Sequence, residues 1–125
     1  MPIKEVTVSK TNPVPELEVF IGDIHLGIYE AILWKSKTEF TVVQKGTNEP
    51  GTEKDKFPLA TSTASLDGLL LSWEIKILSL TGKKGETYFV RVTLTQGTTQ
   101  LHEDIYEGPL DGSEFEMGAV RLKVV

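Results

Sequence analysis

Two short patterns hold the residue types from which a catalytic centre could be built. Asp23 precedes His25 by two positions, and Asp104 follows His102 by two. On a strand, residues i and i+2 share a face, so each pair offers one imidazole and one carboxylate to the same side. If the two segments met, Asp23, His25, His102 and Asp104 would form a nitrogen and oxygen set suited to zinc or another divalent ion. Such an ion lowers the pKa of a bound water and makes it a nucleophile. The pattern is a weak signal, because 18 acids in 125 residues place one two positions from a given histidine about one time in four by chance.

The stretch VFIGDIHLG at 19–27 resembles, in its Asp-x-His, the opening ligand motif of the metallophosphoesterases. That resemblance implies further Gly-Asp, Asn-His-Asp/Glu and Gly-His-x-His motifs, which together complete a two-metal site. The chain has only two histidines, and its asparagines, Asn12 and Asn48, are followed by Pro13 and Glu49. The resemblance ends there, and a turn explains the same residues. Gly22 tolerates the backbone angles of a bend and Asp23 can accept bonds from nearby amides. Gly22-Asp23 is therefore expected at a hairpin bend, with His25 entering the next strand.

Other chemistries leave less trace. The absence of cysteine removes disulfides, thiolate metal sites and cysteine nucleophiles. There is no Gly-x-Ser-x-Gly, and TGKKG at 81–85 lacks the spacing of a phosphate-binding loop. The run EDIYEGPLDGSEFE at 103–116 carries six acids and no base, and reads as a solvated loop. Two functional alternatives attach to it: calcium held by Asp111, Glu114 and Glu116 around Gly112, or a grip on a basic partner. Tyr106, Phe115 and Met117 add apolar area beside those acids. Phe89 falls on the polar parity of its strand, and outward aromatics serve sugar-binding faces and protein interfaces. The candidate ligand-binding residues are thus Phe89, Tyr106, Asp111, Glu114 and Phe115, with the polar loop 47–56 as a further contact region. No cofactor is implied.

The elements that must position these residues follow a period of two. In 69–80, Leu71, Trp73, Ile75 and Ile77 share one face while Ser72, Glu74 and Lys76 share the other. In 86–96, Tyr88, Val90, Val92 and Leu94 point in, and Arg91, Thr93 and Thr95 point out. TGKKGE between them predicts a hairpin turn. Further strands are expected over 3–9, 16–21, 27–35, 37–46, 100–107 and 119–125, with weak β character over 57–65. No apolar period of 3.6 is sustained, so little or no helix is expected. About eight or nine short strands in a single domain spanning 1–125 predict an all-β antiparallel β-sandwich of immunoglobulin-like or jelly-roll-like character. Trp73 belongs in its core, and Trp34 ends its strand as a rim residue.

The net charge of −5 opposes binding to nucleic acid or anionic membrane, and no apolar run is long enough for membrane insertion. With no export signal in the opening residues, the expected location is cytoplasmic, with export by another route or after removal of a leader left open. The leading functional expectation is a non-enzymatic binding module for a protein or carbohydrate partner, with self-association as a homo-oligomer through exposed edge strands. A small metal-binding or metal-dependent protein using the four residues above is the second reading. A structural subunit of a larger assembly is the third.

Overall fold

A computed structural model describes residues 3–22, 25–48 and 55–125. It contains nine strands: β1 (Lys4–Val8), β2 (Glu16–Ile21), β3 (Leu26–Trp34), β4 (Phe40–Asn48), β5 (Asp55–Pro58), β6 (Leu70–Leu78), β7 (Thr87–Gln96), β8 (Thr99–Pro109) and β9 (Ser113–Val124). A single 3-10 turn, Thr63–Leu66, precedes β6. The strands form two sheets, ordered β1-β9-β6-β3-β4 and β5-β2-β7-β8. All described pairings are antiparallel except β1 with β9, which run parallel. The expectation of an all-β sandwich with little helix holds, with that one parallel pair as its exception.

The alternation that produces strands also produces the core. Leu71, Trp73, Ile75 and Ile77 of β6 are almost fully buried, as are Val90, Val92 and Leu94 of β7. They meet between the sheets with Leu17, Val19, Tyr29, Val120 and Leu122. Burying each large apolar side chain contributes roughly 1.5–3 kcal/mol. Gln96 is a buried polar exception at the end of β7. Its amide donates to the Ser9 carbonyl at 2.6 Å and to that of Pro13 at 2.9 Å, and its carbonyl accepts from the Ser9 amide at 3.0 Å. This pins the proline-bearing β1–β2 connection, which cannot form a ladder of its own.

Strand partners differ from several expectations. β7 and β8 form a tight hairpin around Gly97 and Thr98, with Gly97 at φ +61°, a region glycine occupies without strain. The TGKKGE segment, by contrast, is no hairpin: β6 lies in one sheet and β7 in the other. The same holds at 22–25, since β2 pairs with β5 and β7 while β3 pairs with β4 and β6. That connection crosses between sheets instead of folding back within one, which corrects the hairpin expected at Gly22. The strand expected over 100–107 is β8, but the loop reading of 103–116 fails, since that run is the latter part of β8 and the start of β9 with only a short turn between them.

Candidate functional site

His25 and His102 are carried to distant parts of β7. His25 lies just before β3, is buried, and its Nε2 sits 2.8 Å from the Thr87 carbonyl at the start of β7. His102 is opposite Leu94 in the β7–β8 ladder. Thr87 and Leu94 are seven residues apart, on the order of 23 Å along an extended strand. The two imidazoles therefore do not meet, and Asp23 lies outside the described residues. His102 and Asp104 do stay together, with Nε2 3.1 Å from Oδ1, though the alignment is too poor for a hydrogen bond. Among the described residues, no group of three or more His, Asp or Glu side chains is arranged to hold a metal ion.

His102 and Asp104 belong instead to a polar seam along β8 and β9, where the inward parity is not apolar. Asp104 accepts a 3.3 Å bond from the Tyr106 hydroxyl, which accepts a 3.0 Å bond from the Trp73 indole N–H of the other sheet. The Tyr88 hydroxyl crosses the sheets to donate to Glu116 at 3.0 Å. Burial pushes the Tyr88 hydroxyl up to about 12, assisted by the Glu116 and Glu114 carboxylates. Burial likewise raises Tyr106 to about 12; the Trp73 bond opposes this and Asp104 adds to it. On the opposite side of the sandwich, Tyr29 of β3 donates to Asp55 of β5 and stacks on Phe57 with centroids 6.1 Å apart. Burial and then Asp55 hold that hydroxyl far above its ordinary value. Tyr29 and Tyr88 donate from one sheet to the other, whereas Tyr106 accepts across the sheets from Trp73 and donates within its own strand to Asp104.

Gly118 of β9 makes the seam fit. A Cβ there would lie 2.5 Å from the Tyr106 oxygen and 2.6 Å from the Trp73 nitrogen. Only the missing side chain lets the two rings meet.

The candidate ligand residues are spread over three separate regions. Phe89 is on the outer face of the four-stranded sheet, where Phe20 packs edge-on against it at 6.1 Å and Arg91 lies 5.1 Å from the Phe20 ring centroid. Tyr106 and Glu114 take the inward parity of β8 and β9. Asp111 is exposed in the β8–β9 turn, apart from Glu116, which accepts from Tyr88. Phe115 is exposed on the outer face of the five-stranded sheet. They form no common site.

Phe115 does have neighbours that sequence reading missed. The ladders of the five-stranded sheet align four outward rungs: Thr47–Ile28–Lys76–Phe115, Lys45–Glu30–Glu74–Met117, Val42–Ile32–Ser72–Ala119 and Phe40–Trp34–Leu70–Arg121. On this one face Ile28, Phe40, Val42, Phe115 and Met117 are each between 43% and 60% exposed. Trp34 packs on Phe40 at 4.9 Å, and its indole N–H donates to Ser72 at 2.8 Å. Lys45 pairs with Glu30 at 3.5 Å. Two depressions mark the surface: about 390 Å³ beside Trp34, Lys37, Leu70 and Arg121, and about 170 Å³ between Ile28, Glu30, Lys76 and Phe115. The opposite face carries Glu16, Glu18, Glu103 and Glu107, with Ile105 as its one strongly exposed large apolar side chain among the described residues. The signal in the sequence was the outward apolar set on β3, β4 and β9, visible only once those strands are known to be neighbours.

A third recess, about 850 Å³ and open to solvent, lies at one end of the sandwich beside Leu33, Lys35, Phe40, Leu59 and Leu69. Glu39 and Asp67 also line it, with Lys35 paired to Glu39 at 3.9 Å.

Fold and surface together define an all-β sandwich whose five-stranded outer face sets exposed apolar side chains among charges of both signs, while the opposite face carries four glutamates beside Lys56 and Arg91. No helix among the described residues is long and apolar enough to cross a membrane. No family model, curated protein or solved structure matches the chain.

Proposed function

We propose that the protein is a non-enzymatic binding module whose working surface is the outer face of the five-stranded sheet. The observation that carries this reading is the gathering of five exposed large apolar side chains on that face. Apolar surface left in water is unfavourable at roughly 25 cal/mol per Å², and contiguous patches of several hundred Å² mark interaction sites. A protein partner suits the surface better than a carbohydrate does. Phe40 packs on Trp34, and Phe115 lies beside Ile28 and Lys76. The four rungs offer only Thr47 and Ser72 as hydroxyl side chains, Ser72 already accepting from Trp34, whereas sugars need hydroxyl and amide partners around a stacking ring.

Lysine-directed crosslinking in a native extract tests this. Crosslinks to another polypeptide should concentrate on Lys45 and Lys76 of the proposed surface. Crosslinks concentrated on Lys56, on the opposite sheet, would overturn it.

A further inference from the structure

The five-stranded outer face is close in size and charge to an interface with its own copy. Five strands about 4.8 Å apart and about nine residues long at 3.3 Å per residue give a face of roughly 700 Å². A standard stable interface needs about 800 Å² from each partner, a value that side-chain relief brings within reach. Charge points the same way. The outward positions of the five strands carry four bases, Lys45, Lys76, Arg121 and Lys123, and three acids, Glu5, Glu30 and Glu74, a net of +1 in a chain of −5. A nearly neutral face bearing both signs can approach its own copy without the repulsion that two acidic faces would meet.

We infer that the partner seated on this face is a second copy of the chain, giving a two-fold dimer packed sheet against sheet. This rests on the binding reading above and adds the identity of the partner. The geometry constrains the pairing further. The accessible apolar side chains fall mainly at diagonally opposite corners: Phe40, Trp34 and Val42 at one, Phe115 and Met117 at the other. Any two-fold relating two facing copies has its axis in the interface plane. An axis along the strands sets the Phe40 corner against the Arg121 corner, and an axis across them sets it against Thr47. An axis at about 45° to the strands brings apolar corner to apolar corner, so the strands of the two facing sheets cross near a right angle, one of the two established sheet packings. The hollow beside Ile28 and Phe115 then receives an apolar side chain of the copy.

The test is the solution mass of the purified chain, measured by light scattering and sedimentation from micromolar to near-millimolar concentration. The wild type should reach twice the monomer mass. Met117→Lys and Phe40→Lys, both at exposed positions, should each weaken the dimer by about tenfold or more while circular dichroism and melting stay unchanged. Ile105→Lys on the opposite face should leave the dimer intact. A wild type that is monomeric throughout overturns the inference, as does a dimer broken by Ile105→Lys and untouched by Met117→Lys. If the pure chain is monomeric while Lys45 and Lys76 crosslink to a different polypeptide in extract, the second-copy inference falls and the binding reading stands. If neither is seen, both fall.

Discussion

Gly118 and Gln96 each hold a contact that no other residue type supplies in place. A Cβ at Gly118 meets the Tyr106 oxygen and the Trp73 indole at sub-van der Waals distance, so those rings or β9 must shift. Overpacking of this kind costs about 1–3 kcal/mol. Gly118→Ala should lower the melting temperature and weaken the near-ultraviolet signal of Trp73, as thermal unfolding and circular dichroism would register. Gln96 serves three backbone groups at once, and removing it strands buried donors and acceptors at about 1–3 kcal/mol for each group left bare. Gln96→Leu should therefore reduce the urea midpoint by more than an exposed substitution such as Gln100→Leu. Neither role was legible in the sequence, because Gln96 depends on residues more than 80 positions away and Gly118 on Trp73 of the paired strand and Tyr106 of the opposite sheet.

At the scale of the elements, face was legible and neighbour was not. The alternations in β6 and β7 assigned Trp73, Ile75, Ile77, Val90 and Leu94 to the core correctly, since period-two patterning reports which way a side chain points. The same alternation says nothing about which strand lies alongside, so TGKKGE looked like a hairpin turn and is a crossover between sheets. The strand expected over 100–107 is β8, and the loop reading of the acidic run 103–116 fails for another reason. In β8 the inward parity is His102, Asp104 and Tyr106, and in early β9 it is Glu114 and Glu116, so the usual apolar-in rule inverts along the seam. Polar inward residues read as loop when their partners across the sheets, Trp73 for Tyr106 and Tyr88 for Glu116, are unseen. Tyr88→Phe should remove the donor to Glu116 and cost about 0.5–1.5 kcal/mol, read by denaturant unfolding.

At the scale of the whole molecule, side-chain hydrogen bonds join the sheets among the described residues: Tyr29 to Asp55, Tyr88 to Glu116 and Trp73 to Tyr106. All three tyrosine hydroxyls are harder to ionise folded than the ordinary value of 10. A folded pKa raised above the unfolded one gives stability that is present below pH 10 and lost as pH rises through about 12. Alkaline titration should therefore show tyrosinate absorbance appearing together with loss of β-sheet signal above pH 10. Tyrosinate forming near pH 10 with the sandwich intact would contradict the cross-sheet role.

The sandwich so closed leaves one outer face apolar, and that face is the centre of the functional account. Met117, 60% exposed at its edge and carrying a readily oxidised thioether, reports on it directly. Hydroxyl-radical footprinting in the native extract, compared with the dilute purified chain, is the most direct measurement. Met117 should be protected from oxidation in the extract while Ile105 on the opposite face labels equally in both. Equal labelling of Met117 in both conditions would contradict the assignment of this face as the working surface.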